Sequence, residues 1–345
     1  MTTFVDQVFQ LGGVPVGPGS VLGLQTGNWF FVDPVNGQDG NPGNSPGKAF
    51  ASLYAAHNAM KSGNNDVAVL LGNGAASGTA RLSLAGAQAV DSSALVGTLK
   101  WTKNACHLIG TGAPTMVAQR SRIAPPSGVY TQATFGSGNF VTVSGSGCIF
   151  SNFSVFNGFS TGDVNQIAWT DTGNRNYYNN VEIYGMADTA SAVDTGSRSL
   201  KIGAAGSGEH TFVNCVIGGD TVTRTVANAS LELAGGSPRN TFRGCLFPFM
   251  TSNNGVLGIL GTGNACVDRW NLFEQCTFMN AIKSTSTGMT ALASFTTASP
   301  GGLLYFKGCA MVGVTKFGDT NGLANSYLDM PVVSAAAGGL GLNPS

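Results

Sequence analysis

The chain has 345 residues, of which 43% are hydrophobic and 10% charged, and its 17 basic and 17 acidic residues leave a formal net charge of zero. This apolar content is enough for a large core, and the lack of a basic excess argues against nucleic acid as a partner. The 50 glycines favour short strands joined by tight turns over helices.

The start of the chain carries no sign of a secretion signal, because the first basic residue is Lys48 and such signals begin with a charged region. No apolar run approaches the roughly 18 residues that a membrane span needs, so we expect no membrane attachment. The cysteines number seven, which is odd, and we therefore expect reduced thiols rather than a disulfide framework.

Residues 1–28 are rich in glycine and apolar residues but show neither helical nor strand periodicity. Their larger apolar side chains are Phe4, Val8, Phe9 and Leu11, among others. Apolar residues in such a segment gain stability only by packing on a neighbour. We therefore predict an arm that binds another protein.

A short helix is predicted over residues 46–62. Ser45 can cap it, Pro46 suits its first turn and Gly63 suits its end. Its apolar stripe consists of Phe50, Leu53, Tyr54 and Met60. His57 lies within this stripe, and we assign it to the packed face rather than to a ligand role.

Two sets of residues resemble metal ligands in composition. One is an acidic and amide-rich run that contains Asp33, Asn36, Asp39, Asn41 and Asn44. It does not follow the calcium-loop spacing, and turns rich in Asp and Asn need no metal. The other is the adjacent pair Cys106 and His107, whose side chains point to opposite faces if they lie on a strand. We predict no metal and no cofactor.

Four stretches follow the pattern Phe-x-x-Cys-x-apolar, and two weaker copies precede them. The six copies start at Phe150, Tyr178, Phe212, Phe242, Phe273 and Phe306. The starts are separated by 28, 34, 30, 31 and 33 residues, as in a stacked solenoid. The segments alternate as strands do, so we predict parallel strands stacked about 4.8 Å apart.

The alternation assigns the repeat positions to faces. We predict an inner column of the aromatic starts and two further inner columns, Cys215, Cys245, Cys276 and Cys309, and then Ile217, Phe247, Phe278 and Met311. The residue before each cysteine position is predicted to form a one-residue bend in the left-handed backbone region, which Asn and Gly enter most easily. The bend residues are Asn152, Asn180, Asn214, Gly244, Gln275 and Gly308.

The outward position between the inner columns is occupied by Ser154, Glu182, Val216, Leu246, Thr277 and Ala310. Its apolar members predict a contact surface, which closed threefold symmetry would bury. Glu182 is its one carboxylate, and the equivalent positions of the neighbouring coils hold no second carboxylate.

Other carboxylates lie in the insertions between repeats, at Asp188, Asp194, Asp220 and Glu232. Cleavage of a glycosidic bond needs two carboxylates about 5 to 9.5 Å apart, and the best candidate pair is Asp220 with Asp188. The alternative, which we favour, is that these are solvated loop carboxylates and that the chain has no catalytic residues.

Residues 318–345 are again rich in glycine and alanine, with apolar residues that include Leu328 and Val332. We predict a second arm there, so that the solenoid domain spans residues 29–317.

The Asn-bend-apolar corner resembles that of right-handed parallel β-helices of the pectate-lyase-like type. Residues 29–74, with VDP-x-x-G-x-D, Asn-Ser-Pro, a short helix and a strand that ends in Gly, are similar to the entry segment of β-helices from tailed-bacteriophage virions and from carbohydrate-active proteins. The resemblance implies an all-β, right-handed parallel β-helix with a capping helix, and identifies a fold rather than a reaction.

Three functions are compatible with this resemblance. The first is a phage virion structural protein, made in the host bacterial cytoplasm, that decorates the head shell as a homotrimer and binds the major capsid protein or other virion proteins through its arms. The alternative is a tail fibre or tailspike that binds host surface polysaccharide. The third is a polysaccharide lyase or hydrolase, which the isolated Glu182 disfavours.

Overall fold

The computed structural model of the chain describes residues 27–72, 99–112, 121–124, 138–157, 166–203, 206–281 and 289–318, together with four short strand segments at 10–11, 14–15, 82–83 and 326–328. These residues form three parallel sheets of ten, eight and eight strands. Outside the three sheets, β1 (Gln10–Leu11) pairs antiparallel with β2 (Val14–Pro15).

The first sheet consists of β3 (Trp29–Val32), β4 (Asp66–Leu70), β7 (Cys106–Gly110), β10 (Ile149–Ser151), β13 (Tyr177–Asn179), β16 (Thr211–Val213), β19 (Thr241–Arg243), β22 (Arg269–Glu274), β25 (Gly302–Lys307) and β28 (Ser326–Leu328). The second consists of β5 (Leu82–Ser83), β8 (Arg122–Ala124), β11 (Ser154–Phe156), β14 (Glu182–Tyr184), β17 (Val216–Ile217), β20 (Leu246–Phe249), β23 (Thr277–Asn280) and β26 (Ala310–Val312). The third consists of β6 (Leu99–Trp101), β9 (Asn139–Val143), β12 (Ile167–Asp171), β15 (Arg198–Ile202), β18 (Ala229–Ala234), β21 (Leu257–Thr262), β24 (Met289–Phe295) and β27 (Val314–Gly318).

The chain visits the three sheets in turn, and each strand pairs in parallel with the strand three places before it in the same sheet, apart from the entry strands. The repeats are in register, since Phe212 pairs with Tyr178 on one side and with Phe242 on the other. The predicted parallel β-helix is therefore confirmed.

Each predicted bend has a left-handed backbone. The φ angles are 61° at Asn152, 53° at Asn180, 51° at Asn214, 61° at Gly244, 54° at Gln275 and 60° at Gly308. This conformation turns the chain from the first sheet into the second within one residue. The bends are also linked, because Asn180 Nδ2 donates to Asn152 Oδ1 at 2.9 Å.

The aromatic starts of the repeats form a continuous stack inside the solenoid. Neighbouring ring centroids lie 4.9 Å apart for Phe150 and Tyr178, 4.4 Å for Tyr178 and Phe212, 4.7 Å for Phe212 and Phe242, 4.7 Å for Phe242 and Phe273, and 5.1 Å for Phe273 and Phe306. All six side chains are fully buried. The rings stack because the strands are in register, so the centroid distances follow the spacing of the coils.

The cysteine column is inside the solenoid as predicted, with one difference at its end. Cys215, Cys245 and Cys276 are buried, whereas Cys309 is half-buried, and all four are free thiols. Each later thiol donates to a carbonyl of the preceding coil, as Cys276 Sγ does to Phe242 O at 3.4 Å. Burial raises the pKa of Cys245 well above its usual value, so that thiol is protonated.

A ladder of buried polar groups lies where the chain enters the first sheet, and no sequence pattern predicted it. The backbone N–H of Asn176 donates to His210 Nδ1 at 3.2 Å, and the backbone N–H of His210 donates to Asn240 Oδ1 at 3.0 Å. Asn240 Nδ2 then donates to Asn271 Oδ1 at 2.7 Å. The Tyr178 hydroxyl, which lies in the aromatic stack, donates to the buried Asp171 carboxylate. These bonds satisfy polar groups that the narrow interior removes from water.

The N-terminal helix is shorter than predicted. A 3₁₀ turn covers Pro46–Lys48, and α1 covers Leu53–Ala59. Ser52, rather than Ser45, caps α1, because its side chain accepts from the Ala55 N–H. The helix packs on the first coil through Leu53, Ala56 and His57, and the predicted role of His57 in this packed face is confirmed. A second short helix, α2, covers Thr189–Ala192.

Most residues of the two predicted arms lie outside the described residues. From the C-terminal one, β28 joins the first sheet and pairs with β25. Among the described residues, no helix is long and apolar enough to cross a membrane.

Candidate functional site

The outer face of the second sheet carries a groove of about 350 Å³. Its floor follows the predicted outward column, since Glu182, Val216 and Leu246 occupy one register on β14, β17 and β20. The residues that line it are Arg122, Phe156, Glu182, Tyr184, Val216, Gly218, Gly219, Asp220, Thr221, Leu246, Pro248 and Met279. The predicted contact surface and the groove therefore coincide in part.

One wall of the groove is the loop after β17, which is pinned to Tyr184. The Tyr184 hydroxyl lies 2.9 Å from Thr221 Oγ1 and accepts from the Val222 N–H at 3.2 Å. Gly219 lies against the ring, where a Cβ would come within 2.4 Å of it, so the wall requires glycine there. Burial raises the pKa of Tyr184, and the hydroxyl stays protonated.

The same loop is anchored behind the groove by a buried guanidinium. Arg224 is 2% exposed and donates to Asn228 Oδ1 at 2.6 Å, to Ser230 Oγ at 3.0 Å and to Leu257 O at 3.3 Å. Burial lowers its pKa to about 9. These bonds to neutral oxygens position the loop that presents Asp220.

Beside the loop wall, the groove is lined by two aromatic rings. The rings of Phe156 and Tyr184 meet edge to face with centroids 5.3 Å apart. The Arg122 guanidinium lies over the Phe156 ring at 5.1 Å from its centroid. The arrangement gives an apolar surface beside a cation, which suits a ligand with both apolar faces and polar edges.

Two carboxylates line the groove, and they are not the pair that the sequence favoured. Glu182 is 6% exposed, and Asp220 is exposed on the loop. Asp188 instead caps α2 by accepting from the Ala190 N–H at 2.9 Å. Asp194 accepts from Ser197 Oγ at 2.8 Å.

Glu232 belongs to a separate cluster on the third sheet. It accepts from Arg198 Nε at 2.9 Å, from Lys201 Nζ at 3.0 Å and from Thr262 Oγ1 at 2.8 Å. Burial alone would raise the pKa of Glu232, but the two cations outweigh burial and lower it. The carboxylate is thus ionised and fully engaged, which is the state of a structural ion pair rather than of a general acid.

The residues that resembled metal ligands serve turns and packing. Asp33 accepts from the Val35 and Asn36 N–H groups, and Asp39 accepts from the Ala51 and Ser52 N–H groups. Within the described part of the chain, no group of three or more His, Cys, Asp and Glu side chains could hold a metal ion.

Sequence reasoning found the floor of the groove but not its walls. Phe156 and Tyr184 lie two residues after outward positions of the repeat, and Arg122 lies one coil before such a position. Strand alternation could therefore have placed all three on the same outer face. The loop wall has no such signal, because it depends on how an irregular insertion docks against Tyr184.

The arrangement can bind more readily than it can react. Its floor is apolar apart from Glu182, it is lined by both a cation and carboxylates, and the Phe156 ring is partly exposed, as in sites for amphipathic ligands. A carboxylate pair for glycoside hydrolysis would need both groups opposite each other across the ligand, whereas Glu182 lies in the buried floor and Asp220 on the exposed wall.

No family model matches the chain, and no curated protein matches it. Among solved structures, the chain is similar to the pectate lyase Pel9A, with a TM-score of 0.57 and 15% identity over 89% of this chain and 69% of that chain. It is similar to the pectin methylesterase PemA from Erwinia chrysanthemi, with a TM-score of 0.54 and 14% identity over 92% of this chain and 93% of that one. ORF18 of Geobacillus virus E2 matches with a TM-score of 0.42 and 12% identity over 76% of this chain and 46% of that chain, which is too weak to carry an argument. Likeness at these identities shows a pectate-lyase-like fold and nothing about activity.

Proposed function

We propose that the protein acts by binding and not by turnover, as a structural component of a tailed-phage virion that decorates the head shell as a trimer. The observation that carries the proposal is the groove floor, where four apolar residues lie along stacked coils. Val216 and Pro248 are buried by the chain itself, and Leu246 and Met279 are half-buried. A solvated sheet face would carry charged residues at these positions. We infer that the accessible part of this floor, at Leu246 and Met279, is a contact surface for another protein.

The fate of the candidate carboxylates supports binding over catalysis. Asp188 serves a helix cap, and Glu232 serves an ion-pair cluster. Both would lose these roles if they had to take up and release protons in a reaction. What remains in the groove is one buried and one exposed carboxylate, which can fix the orientation of a partner.

The test uses phage heads assembled without this chain, to which purified protein is added. Leu246→Asp places a charge in the apolar floor and should abolish attachment. Thr241→Asp is the matched control, because Thr241 is a half-buried outward residue of the first sheet and should leave attachment unchanged. Normal attachment of the Leu246→Asp protein would show that the groove is not the contact surface, and a monomer by sedimentation analysis would refute the trimer.

A second candidate function is binding of host surface polysaccharide, as in a tail fibre or tailspike. The half-buried Phe156 ring beside Arg122 favours it, since an apolar ring next to a polar group suits a sugar. The similarity in fold to Pel9A and PemA is compatible with it.

This candidate makes a different prediction for the same groove. The free protein should bind isolated bacterial polysaccharide without any particle, and Phe156→Ala should weaken that binding. Failure of the wild-type protein to bind any polysaccharide of its host would remove this candidate. Release of shortened chains with new ends would instead establish an enzyme and overturn the proposal of binding alone.

A further inference from the structure

Cys276 and Cys309 are the last two members of the cysteine column. None of the roles described above involves their thiols. Cys276 is fully buried, whereas Cys309 is half-buried and is the last member of its column. Cys309 Sγ donates at 3.2 Å to Phe273 O of the preceding coil, which is the coil that carries Cys276. Solvent can therefore reach one member of a thiol pair whose other member lies immediately behind it.

The register places the two cysteines at equivalent positions of adjacent coils. Thr277 pairs with Ala310 just after them, and Phe273 pairs with Phe306 just before them. Neighbouring strands lie about 4.7 to 4.9 Å apart, and disulfides form at Cα separations of about 4.4 to 6.8 Å. The backbone spacing is thus compatible with a disulfide between coils.

A disulfide also needs Cβ atoms about 3.8 Å apart, which is closer than side chains stacked at the strand spacing. The two coils must therefore approach each other slightly at the bend. Cys215, Cys245 and Cys276 lie in coils that are paired on both sides. Cys309 precedes β26, the edge strand of the second sheet among the described residues. The backbone after Cys309 is therefore paired on one side only, although β25 before it is paired on both sides.

We propose that Cys276 and Cys309 form a site of oxidative modification, a disulfide between coils made by exchange with a small-molecule disulfide such as oxidised glutathione. In the first step, the Cys309 thiolate attacks one sulfur of the reagent, a mixed disulfide forms on Cys309 and one glutathione thiolate leaves. In the second step, Cys276 loses its proton and attacks Cys309 Sγ, and the second glutathione leaves. The protein loses two electrons and two protons, and one oxidised glutathione becomes two reduced glutathione molecules.

The disulfide would link the coil that contains Cys309 to the preceding coil, which contains Cys276. In a reducing compartment the pair would remain as thiols, and in an oxidising medium the link would form. This inference depends on the thiol column and not on the proposed function.

The neighbouring Cys276 thiol, followed by burial, raises the pKa of Cys309. Exchange should therefore be slow at neutral pH and faster as the pH rises, because the thiolate is the nucleophile.

The experiment treats the full, folded protein with oxidised glutathione at about pH 8.5, near the usual thiol pKa, and maps its peptides without reduction. The wild type should yield one linked pair of peptides, containing Cys276 and Cys309, and no retained glutathione. Cys309→Ser should remain unmodified. Cys276→Ala should retain one glutathione on Cys309, because the resolving thiol is missing.

Circular dichroism checks that each variant is folded, and Cys276→Ser replaces Cys276→Ala if the latter is not. The proposal is overturned if the folded wild type does not react, if it retains glutathione on Cys309, or if the linked peptides contain other cysteines. The oxidised wild type should also show a higher unfolding temperature than the same sample after reduction. An unchanged unfolding temperature would refute the claim that the disulfide stabilises the protein.

Discussion

At the scale of single residues, the bends show how side-chain identity fixes a backbone. The left-handed region costs most residues about 1–2 kcal/mol, whereas Gly and Asn enter it readily. The bends at Asn152, Asn180 and Asn214 meet this need with Asn, and Gly244 and Gly308 meet it with Gly. Gln275 also adopts φ 54°, so its coil must bear the strain of an ordinary residue.

Asn180 offers a test of this account. Asn180→Ala should lower the free energy of unfolding by about 1–2 kcal/mol, because alanine disfavours the left-handed region and the bond to Asn152 Oδ1 is lost. Asn180→Gly loses the same bond but keeps the backbone preference, so its cost should be about 1 kcal/mol or less. Denaturant unfolding of the two variants decides the matter, and equal costs would contradict a backbone role.

Glu232 gives a pH dependence whose sign follows from its lowered pKa. The ordinary value is 4.5, so as the pH falls below it the unfolded chain takes up a proton before the folded protein does. Stability from this carboxylate is therefore present above about pH 4.5 and is lost as the pH falls through the lower folded pKa.

Glu232→Gln should lower the free energy of unfolding by about 3 kcal/mol at neutral pH, because Arg198 and Lys201 lose the buried carboxylate that they share. The difference between the variant and the wild type should shrink as the pH falls below about 4.5. Comparing the two proteins is necessary, since Asp33 and Asp66 also have lowered pKa values. A difference that does not change with pH would show that Glu232 does not contribute as an ion.

At the scale of elements, the N-terminal helix shows what local sequence can and cannot specify. Its existence and its packed face were predictable, because Leu53 and His57 follow helical spacing. Its start was not, because Ser45 and Ser52 are both acceptable caps by residue type. The choice depends on Asp39, whose carboxylate accepts from the Ala51 and Ser52 N–H groups and thereby places Ser52 at the start of α1.

The two serines form a matched pair for mutation. Ser52→Ala should lower the free energy of unfolding by about 1 kcal/mol, because the Ala55 N–H loses its acceptor. Ser45→Ala should change it little, since Ser45 makes no side-chain cap bond to the 3₁₀ turn. Thermal unfolding measures both, and an effect at Ser45 as large as that at Ser52 would contradict the assignment of the cap.

The same contrast explains which parts of the fold and site were predictable. Repeated positions such as Phe242 and Cys245 were placed correctly, because the strand period and the coil period both apply to them. Tyr184 and Arg224 were missed, because their roles come from contacts with an insertion whose length differs from coil to coil. Periodicity carries no information about such contacts, and the loop wall of the groove is built from them.

At the scale of the whole molecule, the aromatic stack links every coil from Phe150 to Phe306. Phe242 lies in the middle of it, with the rings of Phe212 and Phe273 each 4.7 Å away. Phe242→Ala should lower the free energy of unfolding by about 3–5 kcal/mol, as expected for a buried ring that leaves a cavity. Phe242→Leu fills more of the space and should cost clearly less. Denaturant unfolding provides the measurement, and a cost for alanine no larger than that for leucine would refute tight packing of the stack.

Because the coils pair in register, the molecule has a fixed repeat distance along its axis. Each interior coil hydrogen-bonds to one coil on either side. The backbones of Phe242 and Phe273 occupy equivalent positions in this pairing. Adding or removing one complete repeat would change the length of the rod by about 4.8 Å and leave the joints on both sides matched. Such a protein can be lengthened or shortened in evolution by duplication or loss of a repeat, so the span between its two ends is adjustable independently of what either end binds.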